Sequence, residues 1–157
     1  MVANAELTVE ERLERQESRN EIADLVSNYC RGCDSRDPNL FMSIWHEDAS
    51  YDVGGPFGAY ENHDGIRNGI KEIWDALPET HHWTTNLVLD FSDADHATGK
   101  CDVVCECIDH EGKFLLISAS YDDTFDRRDG SWRIAHRDLT LHYRRSVPYE
   151  MYDAAEE

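Results

Sequence analysis

Two adjacent histidines, His81 and His82, lie in the stretch ETHHWTTNL. At neutral pH an imidazole is largely the free base and can accept a proton from carbon. Neighbouring residues of a β-strand point to opposite faces, so only one of the two can enter a given pocket. Alternation groups His82 with a partly polar set: Thr84, Asn86, Val88 and Asp90. It groups His81 with Trp83, Thr85, Leu87, Leu89 and Phe91. We therefore predict His82 as the candidate base, with two surface or interface histidines as the alternative.

Asp34 closes a long helical pattern that runs from Thr8 to about Cys33. A carboxylate at the C-terminal end of a helix meets the negative pole of the helix dipole, which is unfavourable. Breaks of a local rule of this kind are expected at functional sites. Asp34 is therefore a candidate acidic group, and the alternative is that it only belongs to the DSRD turn.

The elements that must position these residues follow from periodicity and turn residues. Thr8 and Glu11 form a predicted capping box at the start of the first helix. Asp37 and Pro38 start a short second helix, and residues 64–77 have the spacing of a third amphipathic helix. Turn-rich breaks separate the predicted strands, which cover residues 49–54, 80–92, 97–109, 113–126 and 131–144. The second helix is predicted to reach residue 48.

Helices followed by a strand meander indicate an α+β domain with helices packed on one face of a curved sheet. A chain of 157 residues is the size of one ordinary domain. We predict a single domain over residues 1–157 with an ordered core of about 8–148, and loose acidic ends at 1–7 and 151–157. The stretch KFLLISAS is apolar on both sides, so another copy of the chain is expected to cover the second face of the sheet.

Composition restricts the class of partner. Acidic residues outnumber basic ones 33 to 15, a net charge of -18, which disfavours nucleic acid and anionic membrane surfaces. No apolar run has the length of a membrane helix or signal peptide, so we expect a cytoplasmic protein. Five cysteines fit a reducing compartment, and we expect the pairs Cys30/Cys33 and Cys105/Cys107 to pack in the core and not to bind zinc.

The organisation of the chain resembles SnoaL-like domains of the nuclear-transport-factor-2-like superfamily. Three features carry the resemblance: Asp34 after the first long helix, the histidine of HWTTNL at the first long strand, and RRDGSWRIAHRD near the end. Within the superfamily the chain looks most like hexachlorocyclohexane dehydrochlorinase, scytalone dehydratase and bile-acid 7α-dehydratase. The resemblance implies a cone-shaped α+β barrel with N-terminal helices on a strongly curved mixed or antiparallel sheet, and a homotrimer.

Residue by residue, the resemblance implies a catalytic pair of His82 and Asp34. Tyr29 falls where the dehydrochlorinase has a lysine and the bile-acid dehydratase a tyrosine that helps the departing hydroxyl; without the resemblance it is a core residue. Arg137 matches an arginine that steadies the leaving group, and the alternative is a salt bridge across the sheet. Tyr51 falls where scytalone dehydratase has a tyrosine that holds water or a carbonyl. The second long strand offers Cys105 or Cys107 where the dehydratases carry a further histidine or aspartate.

We therefore predict a cofactor-independent lyase, a dehydratase or related elimination enzyme without a metal site, that acts on a hydrophobic cyclic or aromatic small molecule. Aromatic side chains are predicted to bind this substrate: Tyr51, Trp45, Phe57 and Trp74. Two alternatives share the superfold. One is an isomerase or polyketide cyclase, and the other is the non-catalytic small subunit of a ring-hydroxylating dioxygenase. A change in product mass separates elimination from isomerisation, and co-purification with a metal-bearing chain would identify the subunit.

Overall fold

The computed structural model describes residues 7–148. The predicted loose ends lie outside these residues, except for Leu7. This part of the chain forms three helices: α1 (Val9–Asp34), α2 (Pro38–Ser43) and α3 (Asn62–Ala76). It also forms six strands: β1 (Trp45–Gly54), β2 (Gly58–Glu61), β3 (Glu79–Phe91), β4 (His96–Ile108), β5 (Phe114–Arg128) and β6 (Ser131–Ser146).

Helix α1 begins at the predicted capping box. The backbone N–H of Thr8 donates to Glu11 Oε2 at 2.7 Å, and the backbone N–H of Glu11 donates to Thr8 Oγ1 at 3.2 Å. The helix buries one stripe, which includes Ile22, Val26 and Tyr29. Most of the helical stability therefore comes from packing of this stripe against the sheet.

Helix α2 is shorter than predicted. Asp37 accepts hydrogen bonds from the backbone of Asn39 and Leu40, as expected of an N-cap. The helix ends at Ser43, and Trp45 begins β1 because the backbone there pairs with β6: the N–H of Ile134 donates to the carbonyl of Ile44 at 2.8 Å. The prediction that α2 continues through residues 44–48 was wrong, because pairing with β6 overrides the helical pattern there.

The sheet has the order β2-β1-β6-β5-β4-β3. Strands β1 and β6 are parallel, and all other neighbours are antiparallel. The helices contact the sheet through α1 against β3 and β6 and through α3 against β1. The predicted α+β class with helices packed on a mixed sheet is confirmed. The sheet is not closed into a complete barrel, because β2 and β3 form its two edges.

A β-bulge in β3 corrects the predicted alternation. The pairing of β3 with β4 shifts register between Thr85 and Val88, and Asn86 has a left-handed φ of 57°. A bulge inserts one extra residue, so the side chains beyond it exchange faces. Leu87 and Leu89 therefore pack against the core on the face of His82, contrary to the prediction. Asparagine tolerates this backbone conformation better than most residues.

The outer face of the sheet carries exposed apolar side chains. Register places Trp83 beside Val104, Val104 beside Ser118, and Ser118 beside Tyr143. The exposed fractions are 53% for Trp83, 40% for Val104 and 71% for Tyr143. We call these three residues the outer apolar row. None of the helices within residues 7–148 is long and apolar enough to cross a bilayer.

Candidate active site

Asp34 and His82 meet where the end of α1 packs on the start of β3. Oδ1 of Asp34 lies 2.6 Å from Nδ1 of His82, and Oδ2 accepts the backbone N–H of His82 at 2.9 Å. The exposed fraction is 10% for the His82 side chain and 20% for that of Asp34. His81, by contrast, is exposed. One carboxylate thus holds both the ring and the backbone of the same histidine.

Thr80 completes the hydrogen bonding of Asp34, and sequence reasoning did not find it. Its hydroxyl donates to Oδ1 of Asp34 at 2.9 Å, and the residue is buried. Thr80 lies two residues before His82 on the same face of β3, so strand alternation is the signal that could have identified it. Asp34 therefore accepts three hydrogen bonds, all from the first residues of β3.

These contacts keep Asp34 ionised at neutral pH. Burial alone would raise the pKa of Asp34, but hydrogen bonds from the ring and backbone of His82 and from Thr80 outweigh burial and lower the pKa below its ordinary value. An ionised carboxylate only accepts hydrogen bonds, so Nδ1 of His82 must carry the proton in this contact. In the neutral ring the lone pair is then on Nε2, which is the atom able to accept a proton.

Tyr29 and Tyr51 form a buried hydroxyl pair beside the histidine. Their hydroxyl oxygens are 2.6 Å apart, and the ring of Tyr29 meets that of His82 edge-on with 6.0 Å between centroids. Burial raises the pKa of both phenols above the ordinary value, so both are neutral at physiological pH. A pair of hydroxyls uses one proton in its mutual hydrogen bond, which leaves one O–H able to donate elsewhere.

Arg137 lies fully buried over the ring of Tyr29. Its Nε and Nη2 donate to the two carboxylate oxygens of Asp123 at 2.7 and 2.8 Å, so the salt bridge considered from the sequence is present. The guanidinium carbon lies 4.3 Å from the ring centroid of Tyr29 and 4.0 Å from that of Tyr121. Burial alone would lower the pKa of Arg137, but Asp123 holds it well above its ordinary value. Nη1 is buried without a hydrogen-bond partner and remains a free donor.

The residues predicted to bind substrate occupy different positions. Trp45 is buried and stacks on Tyr51 with 5.2 Å between ring centroids, so both line the same aromatic cluster as Tyr29. Trp74 is also buried, and its indole N–H donates to the carbonyl of Cys33 at 3.0 Å. Phe57 lies in the turn between β1 and β2, where its backbone N–H donates to Gly54. Trp45 and Tyr51 therefore lie beside Tyr29 in the site. Trp74 lies against the end of α1, next to Asp34, and Phe57 lies in the loop between β1 and β2.

The five cysteines are free and buried. Cys105 pairs directly across from His82 in the register of β3 and β4. The contact with Cys107, together with burial, raises the pKa of the Cys105 thiol well above its ordinary value, which keeps the thiol neutral. Within residues 7–148, no three side chains of His, Cys, Asp or Glu converge in a way that would hold a metal ion.

Two surface grooves lie near this site: Asp123, the partner of Arg137, lines the first, and Trp45 of the aromatic cluster lines the second. One, with a volume of about 390 Å³, crosses the outer face of the sheet and includes Lys100, Asp122 and His136. The other, of about 380 Å³, lies near the start of β1 and includes His46, His63 and Arg133. Neither includes Asp34 or His82, whose side chains lie against the aromatic cluster of Tyr29 and Tyr51 on the helix-covered face.

Comparison with known proteins agrees with the predicted resemblance. The family described as SnoaL-like domain matches residues 14–138. Hexachlorocyclohexane dehydrochlorinase 1 from Sphingobium indicum is 36% identical over 83% of this chain and 86% of its own length. Gamma-hexachlorocyclohexane dehydrochlorinase from the same species is 34% identical over 83% and 85%. The crystal structure of a type 3 hexachlorocyclohexane dehydrochlorinase from Novosphingobium barchaimii superposes with a TM-score of 0.84, at 31% identity, over 90% of this chain and 98% of that one. The chain therefore belongs to the SnoaL-like domain family.

Proposed function

We propose that this chain is a cofactor-independent lyase in which His82 removes a proton from carbon. The observation that carries the proposal is the 2.6 Å contact between Asp34 Oδ1 and His82 Nδ1. An ionised Asp34 fixes the ring tautomer and stabilises the imidazolium that forms when Nε2 accepts the proton. The dehydrochlorinase relatives support a lyase, since enzymes of that name remove hydrogen chloride from their substrate.

We assign stabilisation of the leaving group to the neutral tyrosine hydroxyls and to Arg137, whose charge is balanced by Asp123. The hydroxyl pair of Tyr29 and Tyr51 can offer one O–H, and Arg137 can offer its unpaired Nη1–H. In a site closed to water, such donors stabilise negative charge that develops on a departing group. The bond from carbon to the leaving group breaks with its electron pair, and the electrons of the broken C–H bond form the new double bond.

The substrate class follows from the surroundings of these donors. Tyr29, Tyr51 and Trp45 form an aromatic cluster, and Asp123 neutralises Arg137, so the surface beside the ionised Asp34 is aromatic and carries little net charge of its own. Such a surface favours an uncharged, largely apolar ring. This chemistry is compatible with the hexachlorocyclohexane in the names of the relatives. Trp74 and Phe57 are assigned to the periphery of the substrate site.

The decisive assay uses γ-hexachlorocyclohexane and scytalone as probes, each with the purified chain in the presence of EDTA. A lyase gives a product lighter by hydrogen chloride or by water, and EDTA leaves the rate unchanged. Activity that depends on an added metal ion contradicts the cofactor-independent mechanism. A product of unchanged mass would instead identify the chain as an isomerase of the same superfold.

We further propose that the chain assembles as a homotrimer through the outer face of its sheet. The outer apolar row of Trp83, Val104 and Tyr143 is exposed in the isolated chain, and an apolar patch of this kind is typical of an interface. The resemblance of the sequence to SnoaL-like lyases supports an assembly of three copies of the chain. The predicted cytoplasmic location stays a prediction.

A further inference from the structure

Helix α1 ends in a Schellman motif that places an arginine where glycine is usual. The N–H of Asp37 donates to the carbonyl of Gly32 at 3.0 Å, and the N–H of Arg36 donates to that of Cys33 at 3.3 Å. In this motif the residue after the C-cap adopts a left-handed conformation, which favours glycine. Arg36 occupies the position with a φ of 54°. An unfavourable backbone conformation at a non-glycine residue indicates that its side chain has a specific task.

The side chain of Arg36 binds the end of α3. Its Nη2 donates to the carbonyl of Trp74 at 2.9 Å and to that of Leu77 at 3.0 Å. The last carbonyls of a helix lack partners within the helix, and a guanidinium satisfies them and complements the helix dipole. The guanidinium carbon also lies 6.0 Å from the ring centroid of Trp74, over its face.

Trp74 returns a hydrogen bond to α1. Its indole N–H donates to the carbonyl of Cys33, the residue directly before Asp34, at 3.0 Å. Three hydrogen bonds thus join the end of α1 to the end of α3, two from Arg36 and one from Trp74. We call this arrangement the Arg36–Trp74 clamp.

The clamp connects the two halves of the candidate catalytic pair. On α1 it holds the residues on both sides of Asp34. At the C-cap of α3 it holds Leu77, which lies three residues before Thr80 and five before His82. The three groups that donate to Asp34 belong to Thr80 and His82, so the clamp fixes the spacing between the carboxylate and all of its donors.

We propose that Arg36 and Trp74 are positioning residues that set the geometry of Asp34 against His82. This inference deepens the proposed function, and only its kinetic consequence rests on that function. The physical reason is that a displacement of about 1 Å between catalytic groups can lower a rate about 100-fold, whereas the fold tolerates it. Neither side chain needs to touch the substrate.

The test replaces Arg36 by asparagine, which tolerates the left-handed conformation and removes the guanidinium. Two NMR measurements report on the pair directly: hydrogen exchange of the His82 backbone amide, and the pKa of Asp34 from its carboxyl carbon. In Arg36→Asn we expect exchange at His82 to rise about 10-fold more than at Tyr121 in the core, and the lowered pKa of Asp34 to move up towards its ordinary value. Trp74→Phe, which removes the indole N–H donor and part of the ring but keeps Arg36, should change both in the same direction by less.

Arg128→Asn is the matched control. Arg128 also donates to two acceptors, the carboxylates of Asp48 and Asp126, and makes no contact with the clamp. It should change neither measurement. Exchange that rises equally at His82 and Tyr121 in Arg36→Asn would mean general destabilisation, and an unchanged Asp34 pKa would mean that the clamp does not position the carboxylate. Either result overturns the inference.

Kinetics separates this inference from the proposed function. With a substrate that the wild-type chain converts, Arg36→Asn should lower kcat about 10-fold to 100-fold with little change in KM, because Arg36 is not among the residues assigned to substrate binding. A change in KM with kcat unchanged would contradict a positioning role. If the wild-type chain converts no substrate, the proposed function fails, and the NMR measurements still decide whether the clamp holds Asp34 against His82.

Discussion

The carboxylate of Asp34 contacts His82 at two points, with Oδ1 2.6 Å from the ring Nδ1 and Oδ2 2.9 Å from the backbone nitrogen. A two-point contact fixes the ring relative to the strand that carries it. It also explains why a carboxylate is retained at the C-terminal end of α1, where the helix dipole disfavours it. The cost at the helix end is offset by three hydrogen bonds from β3.

This contact makes stability depend on pH. Because the pKa of Asp34 is lowered in the folded chain, its contribution to the free energy of unfolding is fully present above the ordinary carboxyl pKa. It is lost as the pH falls through the lowered value. Urea unfolding of wild type and Asp34→Asn should therefore differ by a constant amount near neutral pH, and the difference should shrink below about pH 4.

Asp24→Asn is the control for this prediction, because Asp24 is exposed on the same helix. Its difference from wild type should stay small at every pH. A difference for Asp34→Asn that stays constant down to the acid transition would show that Asp34 gains no stability from its donors.

Gly32 allows α1 to approach α2 closely. A Cβ at this position would lie 2.7 Å from the backbone nitrogen of Phe41 and 2.8 Å from its Cα. Backbone cannot move away as a flexible side chain can, so Gly32→Ala should lower the free energy of unfolding by about 1–3 kcal/mol. Gly65→Ala on α3 is the matched control, since its Cβ would meet nothing nearer than 3.8 Å. Chemical denaturation that ranks Gly65→Ala as the less stable variant would contradict this packing.

Tyr29→Phe removes one hydroxyl of the buried pair and leaves the ring in place. We expect a loss of about 1 kcal/mol in the free energy of unfolding, because the hydroxyl of Tyr51 loses its partner 2.6 Å away. Turnover should fall about 10-fold or more if the pair donates to the leaving group. Tyr60→Phe, which removes an exposed hydrogen bond of 3.3 Å to Glu72 on α3, is the control and should change both quantities little. Full activity in Tyr29→Phe would remove the pair from the mechanism.

The outer apolar row predicts the assembly state. Trp83→Lys places a charge in the outer apolar row of the proposed interface, so sedimentation should show a trimer for wild type and a smaller species for the variant. Leu13→Lys, at a side chain that is 59% exposed on α1, should leave the trimer intact. A wild-type mass of one chain at micromolar concentration rules out the proposed assembly.

Local patterns in the sequence predicted most helices and strands, but not which of them pair or contact each other. The capping box at Thr8, the N-cap at Asp37 and the long strands were accessible because their signals lie within a few residues. The first four residues of β1, 45–48, were not accessible in this way, because Ile134, the pairing partner of Trp45, is far along the chain. The same limit applies to Arg137: with so many carboxylates in the chain, only the folded register selects Asp123.

Strand alternation separated His81 from His82 and failed four residues later. Two adjacent residues always face opposite sides, so the separation did not depend on the rest of the strand. The bulge near Asn86 then exchanged the faces and brought Leu87 and Leu89 to the side of His82. Asparagine tolerates a left-handed φ, but that tolerance alone does not place a bulge. The contacts of Arg36 with the end of α3 carried no local signal either.

The most direct measurement compares His82→Gln with His81→Gln in the elimination assay with γ-hexachlorocyclohexane or scytalone, after circular dichroism shows that both variants are folded. Glutamine keeps polarity and approximate size but cannot accept a proton from carbon. The predicted result is a loss of turnover of about 100-fold or more for His82→Gln and wild-type turnover for His81→Gln. Equal turnover in the two variants would contradict the assignment of His82 as the base.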